Sequence, residues 1–433
     1  MKRSILKNYF FKIIFIVCLF VSNNTNSQVV TTIAGSSPGY QDGQGTAANF
    51  NGSAGIVVDS NDNLFVADRL NHCIRKIAPN GMVTTYAGNG TPGFLDNNGI
   101  NAQFNYPMHL AIDLNGNIFV ADSNNHRIRK ISPTGDVTTI AGSDSGFADG
   151  DGNVAKFNYP EGIAVDNLGN LFIADSGNNR IRKITSSGFV TTLAGSDNFG
   201  FADGNGSSAK FWTPCGIALD SNGAIIVAEK QNNRVRKVLQ NGDVSTIAGN
   251  GTSGSTNGIG TAAQFRNPFD VAIDVAGDIY VADSGNNRIR KITTTSVVTT
   301  LAGSTSGYLD GIGTSAKFNY PIGISVATDG KVYVSESGGS KIRMISSTLK
   351  NSSFISENQI TIYPNPSSSI INLESYDLIV SEITILDVNN RTIHTQIVSN
   401  NQNKIDIYNL QNGIYTLQII TDKGIMFKKI VKN

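Results

Sequence analysis

Three short runs near the start of the chain decide the fold. Gly55–Asp59 is Gly-Ile-Val-Val-Asp, Leu64–Asp68 is Leu-Phe-Val-Ala-Asp, and Ile74–Ile77 is Ile-Arg-Lys-Ile. A fourth run, Val-Thr-Thr-Ile-Ala-Gly, occupies Val30–Gly35. All four are rich in β-branched or aromatic residues, and Gly, Asn and Asp separate them. This pattern predicts short strands joined by turns.

The four runs recur every 53 or 54 residues through the first three quarters of the chain. Copies of the fourth run end at Gly35, Gly88, Gly142, Gly195, Gly249 and Gly303. No segment shows a helical period. The first two runs of each unit are apolar on both faces, so both faces must be covered. A ring of four-stranded blades provides this packing, because each blade lies between two others.

The order of the runs also predicts how the ring closes. The sixth unit ends after Ile342–Ile345 without a Val-Thr-Thr run, whereas Val29–Ala34 is such a run without a unit. We therefore expect the N-terminal strand to pair as the outer strand of the last blade. This closure removes free strand edges that favour aggregation.

Two repeated patterns identify a family resemblance. Val-Ala-Asp followed by Asn-His-x-Ile-Arg-Lys-Ile, as at Asn71–Ile77 and Asn125–Ile131, resembles the NHL-repeat family of six-bladed β-propellers. The resemblance covers about residues 28–345. The family contains binding scaffolds and a few lyases and esterase-like enzymes, so the fold does not settle the function.

The two ends of the chain predict export. Lys2 and Arg3 precede the apolar run Ile13–Val21, which is too short for the roughly 20 residues of a membrane span, so residues 1–27 are predicted to be a signal peptide. Residues 346–358 form a polar linker. From residue 359, Tyr363–Pro366 (Tyr-Pro-Asn-Pro), Asn412–Tyr415 (Asn-Gly-Ile-Tyr) and a Lys-rich end resemble the type A sorting domain of the type IX secretion system of Bacteroidota.

The resemblance implies export across the outer membrane to the cell surface or beyond, with the type IX machinery as a partner of residues 359–433. An ordinary adhesive β-sandwich is the alternative for this segment. The predicted fold class is therefore all-β: a six-bladed β-propeller closed by the N-terminal strand, followed by a small Ig-like β-sandwich. No transmembrane segment is expected after the signal peptide.

Composition excludes several functions. The chain has 433 residues, with 34 basic residues, 33 acidic residues, four His and three Cys. Residues 1–27 contain four basic and no acidic residues, so the remainder has 30 basic residues against 33 acidic ones. A net charge of −3 without a basic cluster argues against nucleic-acid binding. So few His disfavour a zinc enzyme, so we predict no metal and no cofactor.

The long loop before each first strand contains two patterns that imitate binding motifs. Gly150–Ala155 fits Gly-x-Gly-x-x-Ala, but it leads to a strand rather than the helix of a dinucleotide site. Asp149–Asn153 places oxygen ligands at alternate positions, so calcium is kept as an alternative to simple turn formation. The repeated Phe residues of these loops are expected to anchor them between blades.

Candidate ligand-binding residues are found where one blade departs from the others. The Gly shared by Gly55, Gly162, Gly216 and Gly323 becomes His109 in the second blade and Asp270 in the fifth. Because these blades lie opposite each other, we expect the two side chains not to touch. Glu161, Trp212 and Arg266 are further departures near the face that carries the long loops.

These five residues, His109, Glu161, Trp212, Arg266 and Asp270, form the predicted ligand site. A lone Trp with an Arg and acids near a channel mouth suits a sugar or a peptide. The favoured function is a binding scaffold at the cell surface for a protein, peptide or glycan. The alternative is a propeller lyase or hydrolase that uses the channel mouth near His109. Four further residues are predicted to be structural: His72 and His126 in turns, and Cys73 and Cys215 too far apart to form a disulfide.

Overall fold

The structure is a computed structural model that describes residues 27–348, 360–375, 380–387, 392–398, 404–421 and 424–433. The predicted signal peptide up to residue 26 and the predicted linker beyond residue 348 lie outside the described residues. Regular structure in the described ranges consists of β-strands and three-residue 3₁₀ turns, without an α-helix. The all-β prediction is confirmed.

Residues 27–348 form six antiparallel sheets, which are called blades below. The first strands are Ser53–Val58, Pro107–Ile112, Pro160–Val165, Pro214–Leu219, Pro268–Ile273 and Pro321–Val326. The second strands are Leu64–Asp68, Ile118–Asp122, Leu171–Asp175, Ile225–Glu229, Ile279–Asp283 and Val332–Glu336. The third strands are Cys73–Ile77, Arg127–Ile131, Arg180–Ile184, Arg234–Val238, Arg288–Ile292 and Lys341–Thr348. The fourth strands are Met82–Ala87, Val137–Ala141, Phe189–Gly195, Asp243–Ala248, Val297–Ala302 and, for the sixth blade, Ser27–Ala34.

The first strands form the inside of the ring. Each contacts the first strand of the next blade, and the sixth contacts the first, so the ring is closed. Apolar side chains fill the space between adjacent blades; Tyr280 and Ala282 of the fifth blade, for example, pack with Ile324 and Val334 of the sixth. The apolar character of both faces therefore reflects burial on both sides.

The N-terminal strand closes the ring as predicted. Ser27–Ala34 pairs antiparallel with Lys341–Thr348, with Val30 opposite Ile345. Lys341–Thr348 runs three residues beyond the expected propeller limit of 345, because it continues to pair with the N-terminal strand as far as Ser27. The last blade thus joins the two ends of the propeller.

The long loops protect the outer edges of the blades. A two-residue strand in the loop before a blade pairs with the fourth strand of that same blade, as Gly150–Asp151 does with Phe189–Gly195. The corresponding strands elsewhere are Gly43–Gln44, Gly204–Asn205, Gly258–Ile259 and Gly311–Ile312. The repeated loop Phe residues are fully buried, which confirms their anchoring role: Phe50, Phe104, Phe157, Phe211, Phe265 and Phe318.

A buried arginine holds each long loop to its blade. In the third blade, the Arg182 guanidinium donates to Asp175 of the second strand and to Asp149 of the loop, each at 2.6 Å. The predicted pairing of the second-strand acids with this arginine is confirmed. The six equivalent arginines are fully buried: Arg75, Arg129, Arg182, Arg236, Arg290 and Arg343.

The described residues from 360 to 433 form two further sheets. One contains Ile360–Tyr363, Ile370–Ser375 and Lys404–Asp406; the other contains Val380–Leu386, Thr392–Ile397, Gly413–Thr421 and Gly424–Lys432. Ile371 and Leu373 of the first sheet share one core with Ile385, Leu417 and Ile430 of the second. The segment is therefore a β-sandwich, and its Lys-rich end is a strand rather than a tail.

The closing strand generates a stability prediction. Deletion of Gln28–Gly35 removes the fourth strand of the sixth blade and exposes the edge of Lys341–Thr348, so we expect aggregation or loss of the cooperative melting transition. Val30→Asp, which buries a charge, should lower the melting temperature by about 5 °C or more, whereas Ser36→Asp at an exposed position should not. Circular-dichroism melting measures both, and a normal melting curve for the deletion would contradict the closure.

The sixth blade lacks two hydrogen bonds that an Asn side chain makes in each of the other five blades. In those blades an Asn amide donates both to the second-strand acid and to a loop carbonyl, as Asn178 does to Asp175 and to the Gly146 oxygen, each at 2.8 Å. Gly339 replaces this Asn, and Oε2 of Glu336 is buried without a hydrogen-bond partner among the described residues. The sixth blade therefore carries an uncompensated polar atom.

We expect the double variant Glu336→Asp with Gly339→Asn to stabilise the propeller by about 1 kcal/mol, because it restores that network. Gly339→Asn alone should destabilise, since its Cβ would meet Oε2 of Glu336. Urea unfolding of the wild type, both single variants and the double variant measures the coupling. Additive effects of the two changes would refute the shared network.

Candidate functional site

The two faces of the ring differ in their loops and cavities. Ser53, where the first strand begins, pairs with Asp68, where the second ends, so the long loops and the second-to-third hairpins share one face. The short first-to-second turns lie at the other face, beside cavities of about 590 and 350 Å³. A cavity of about 210 Å³ continues into the channel and reaches His109.

The acids of the short-turn face already have partners. Asp166, for example, accepts hydrogen bonds from the backbone N–H groups of Leu168 and Asn170, at 2.9 and 2.8 Å. It also accepts one from the Asn170 amide at 2.8 Å. Asp59, Asp113, Asp220 and Asp274 also accept backbone hydrogen bonds, so the carboxylates that follow the first strands of these five blades hold the turns.

A mainly apolar layer closes the channel below the loop-rich face. Five first strands place apolar or thiol side chains there, and these form one buried cluster: Ala54, Met108, Cys215, Phe269 and Ile322. The third blade contributes Glu161 at the same position of its strand. Glu161 thus brings a carboxylate to the mouth of the channel, beside the apolar side chains of this layer.

Glu161 lies in an unusual electrostatic environment. Burial raises its pKa, while the Cys215 thiol and the charges of Lys230 and Arg69 lower it. Oε2 of Glu161 is buried, and no N–H or O–H group of the described residues donates to it. A thiol is only a weak donor, so the structure leaves this buried oxygen without a strong hydrogen bond.

Two cations stand at hairpin positions that are Ser in the other four blades. Lys230 of the fourth blade and Arg69 of the first replace the residue found as Ser123, Ser176, Ser284 and Ser337. The Lys230 ammonium lies 5.1 Å from the centre of the Phe269 ring. The mouth therefore carries positive charge from blades on opposite sides of the ring.

Arg69 was missed in the sequence prediction, although its departure from the repeated Ser was visible. Its Nη2 donates to the Ser337 hydroxyl at 2.9 Å, and its guanidinium carbon lies 4.7 Å from the centre of the Tyr106 ring. Its Nε is buried without a hydrogen-bond partner among the described residues. The structural arginines Arg75, Arg182, Arg290 and Arg343 also have a buried Nε without a partner, so Arg69 is best described as a cation held in place by the second and sixth blades.

The expectation that His109 and Asp270 do not touch is wrong. Nε2 of His109 lies 3.0 Å from Oδ1 of Asp270, so the pair spans the channel from the second blade to the fifth. The first strands approach each other closely enough for this because glycines stand between them. A Cβ on Gly55 would lie 2.6 Å from Cα of His109, and one on Gly216 would lie 2.6 Å from Cα of Asp270.

The surroundings of His109 favour its protonated form. Nδ1 of His109 faces the Ile163 carbonyl oxygen at 3.3 Å and Nε2 faces Asp270, so each ring nitrogen has an oxygen within hydrogen-bond distance. The Asp270 carboxylate accepts hydrogen bonds from the backbone N–H groups of Val271 and Ile324, at 2.8 and 2.9 Å. Burial lowers the pKa of His109, but the charge and hydrogen bond of Asp270 outweigh it, so the net shift is upward.

Trp212 and Arg266 lie on the rim of the loop-rich face. The Trp212 side chain is 41% exposed, and its ring lies 5.3 Å from that of Phe199. Arg266 is exposed at the same position of the next blade. The structure therefore separates the predicted site into a rim (Trp212, Arg266), a mouth (Glu161) and a buried crossbar (His109, Asp270).

The remaining residue predictions fall on turns and buried positions. In blades one to five the residue at the His72 position has a left-handed backbone and accepts a hydrogen bond from the next blade. Nδ1 of His72, for example, accepts from the Tyr106 N–H at 3.2 Å. Cys73 and Cys215 are buried and free, as expected. In the described parts of the chain, no group of three or more His, Cys, Asp or Glu is placed to hold a metal ion.

Two family models match the chain. One is the NHL repeat, at residues 50–77, 104–131, 157–184 and 265–292. The other is the secretion system C-terminal sorting domain, at residues 361–433. The described residues contain no helix that is long and apolar enough to cross a membrane.

Curated relatives resemble the repeat region. The chain is 30% identical over 274 residues to SUPPRESSOR OF QUENCHING 1 of Arabidopsis thaliana, which covers 59% of this chain and 26% of that protein. It is 29% identical over 359 residues to NHL repeat-containing protein 2 of Bos taurus, which covers 71% of this chain and 49% of that protein. The chain spans about half or less of the length of these relatives.

Solved structures share the fold. A Bacteroides thetaiotaomicron protein of unknown function is 20% identical with a TM-score of 0.59, covering 74% of this chain and 76% of that chain. An auxiliary nutrient binding protein of the same organism is 17% identical with a TM-score of 0.58, covering 74% and 76%. At these identities the likeness shows the fold alone.

The crossbar generates a pH prediction. The folded pKa of His109 is raised, so its contribution to stability is fully present below the unfolded value of about 6.5 and is lost as pH rises through the folded pKa. We expect the melting temperature of the wild type to fall relative to that of His109→Gln as pH rises above about 6.5.

The difference between the two melting curves isolates His109, because the other groups with a raised pKa are present in both proteins. Glu336 is one of these, since burial raises its pKa to about 7 against the opposing effect of Arg343. His72→Asn, which introduces the residue found at that position in blades three to five, serves as the control: burial lowers the pKa of His72, so the wild type should gain, and not lose, stability relative to this variant as pH rises. Parallel curves for wild type and His109→Gln would show that the crossbar is not an ion pair.

Proposed function

We propose that this NHL-repeat protein, exported by means of its C-terminal sorting domain, is a binding scaffold whose ligand docks at the loop-rich mouth of the propeller. The sorting domain indicates passage through the type IX system to the cell surface or the medium. The ligand is a peptide, protein or glycan that is met outside the cell. The apolar layer and the His109–Asp270 pair beneath it block the channel, so the ligand does not pass through the ring.

The buried and unpartnered Oε2 of Glu161 carries this proposal. A carboxylate oxygen held away from water without a donor is destabilising. The equivalent positions in the other five blades hold apolar or thiol side chains, so the propeller does not require an acid there. A ligand N–H or O–H group would satisfy the oxygen and offset that cost.

The rim supports the same surface. Trp212 and Phe199 present an exposed aromatic pair, a type of surface that favours the apolar face of a sugar or a peptide side chain. The likeness in fold to an auxiliary nutrient binding protein is compatible with a binding role. By contrast, the lyase or hydrolase alternative gains no support from His109, because both of its ring nitrogens are already engaged.

Binding of purified protein to glycan and peptide arrays tests the proposal. We expect Glu161→Gln to weaken the bound ligand by about tenfold, because a charged acceptor is lost, and Trp212→Ala with Arg266→Ala to weaken it further. Phe189→Ala removes a similarly exposed aromatic, 44% against 41% for Trp212, from the short-turn end of a blade and should have no effect. Equal affinity of the wild type and Glu161→Gln would reject this site.

A further inference from the structure

We infer that two exposed rings on the loop-rich face, Phe199 and Trp212, form a stacking surface for a neutral pyranose unit of an extracellular glycan. This inference rests on the proposed function, because it names the ligand class of the same face. Both side chains are open to solvent, Phe199 at 63% and Trp212 at 41%. Their ring centres lie 5.3 Å apart and their planes are tilted by 37°, so they form one contiguous aromatic surface, called the ring pair below.

The ring pair replaces a polar pair of the repeat. In the third blade the Ser145 hydroxyl donates to Oδ1 of Asn158 at 3.1 Å, and the sixth blade has the same contact. Phe199 stands at the serine position of the fourth blade, and Trp212 stands at the asparagine position. Two positions that touch have therefore departed from the repeat together. Because blades three and six fold with the polar pair, the fold does not require the rings.

Backbone hydrogen bonds hold the ring pair in place. The Trp212 N–H donates to the Glu229 carboxylate at 2.8 Å. The Gly200 N–H, directly after Phe199, donates to the oxygen of Phe211, directly before Trp212, at 3.0 Å. Since the blade already fixes both residues, a ligand pays little for ordering them.

Other exposed aromatic residues of the long loops have a cation of the chain on their rings. The Arg180 guanidinium carbon lies 3.9 Å from the centre of the Phe147 ring. The same arrangement is found for Tyr40 with Arg75, Phe94 with Arg127, Phe201 with Arg234 and Tyr308 with Lys341. Within the described part of the chain, no Lys or Arg lies over Phe199 or Trp212. These two rings therefore keep their faces free for a ligand.

An open ring surface whose neighbouring charges are paired favours a neutral sugar. Asp197, in the loop of Phe199, pairs with Arg180 at 2.8 Å, and Glu229 pairs with Arg236 at 2.8 Å. A pyranose can lay the C–H groups of one face on an aromatic ring while the hydroxyls at its edge stay in water. An apolar peptide side chain gains most in a fully desolvated pocket, which rings as exposed as these do not provide. The ring pair therefore favours a neutral glycan over a peptide.

Trp212 is the single tryptophan of the chain, so the tryptophan fluorescence of the full chain reports on this surface. The probes are cellohexaose, xylohexaose and mannohexaose as neutral glycans, hexagalacturonate as an acidic glycan, and a hexapeptide of alternating leucine and serine. We expect a neutral hexaose to shift the emission to shorter wavelength and to protect Trp212 from quenching by acrylamide. Added salt should leave this binding unchanged, because no ion pair forms.

Replacement of the ring pair separates binding from folding. Phe199→Ser keeps the fluorescent reporter and should weaken the neutral hexaose by about tenfold, because one ring is lost. Phe199→Ser with Trp212→Asn rebuilds the polar pair of the third blade, so it should melt like the wild type by circular dichroism and bind no hexaose by isothermal titration calorimetry. Phe94→Ala is the matched control and should bind like the wild type, since Phe94 is 45% exposed on the corresponding loop but lies under Arg127.

Three results overturn the inference: no response to any neutral hexaose, a response only to the acidic glycan or the peptide, or equal hexaose affinity of the wild type and the double variant. None of them decides the scaffold proposal, which depends on Glu161. If Glu161→Gln weakens a ligand that the double variant binds normally, the scaffold stands and the ring pair fails. If the double variant loses the hexaose and Glu161→Gln does not, the ring pair binds the sugar and the docking site at Glu161 fails.

Discussion

One buried arginine in each blade holds the loop-rich face in place. Its guanidinium joins the second-strand acid to the long loop, as Arg182 joins Asp175 to Asp149. Removing one partner of such a pair leaves a buried charge and costs about 3–5 kcal/mol. Because the acid ends the second strand, the same contact fixes the start of the following hairpin. The positions of Arg69 and Lys230, each directly after such an acid, are therefore set by the scaffold.

Close approach of the first strands is the second constraint. The glycine layer leaves so little room that His109 reaches Asp270 across the ring. The apolar layer above it, with Phe269 and Met108, blocks the channel from the loop-rich side. A ligand at that face consequently meets a shallow mouth whose chemistry comes from hairpin starts and from the second residue of each first strand. The short-turn face retains open cavities, but the carboxylates that follow the first strands there, such as Asp166 and Asp220, are satisfied by their own turns.

Repetition made much of this architecture predictable. The period of 53 or 54 residues, the orphan run at Val29–Ala34 and the acid–arginine spacing each translate directly into strand order, closure and ion pairs. The sequence could also point to Glu161, because it departs from five other blades. It could not show that His109 meets Asp270, since spacing along the chain gives blade order but not the radius of the ring. It could not show that Glu161, Lys230 and Arg69 share one mouth, because that depends on how hairpins from three blades converge.

Residues that depart from the repeat differ in whether the fold still uses them. The sixth blade loses an Asn at Gly339 and leaves Glu336 Oε2 unpartnered, yet Glu336 retains the arginine that the fold needs, so this departure weakens a structural network. Glu161 has no such arginine, and no other blade places an acid at its position. Arg69 retains two structural contacts, with the Ser337 hydroxyl and the Tyr106 ring, and its unpartnered Nε is shared by structural arginines such as Arg75. The two buried carboxylates therefore differ in kind: Glu336 still holds the arginine of its blade, whereas Oε2 of Glu161 has no strong donor in the ring, and a ligand that donates a hydrogen bond to it would offset the cost of burying it.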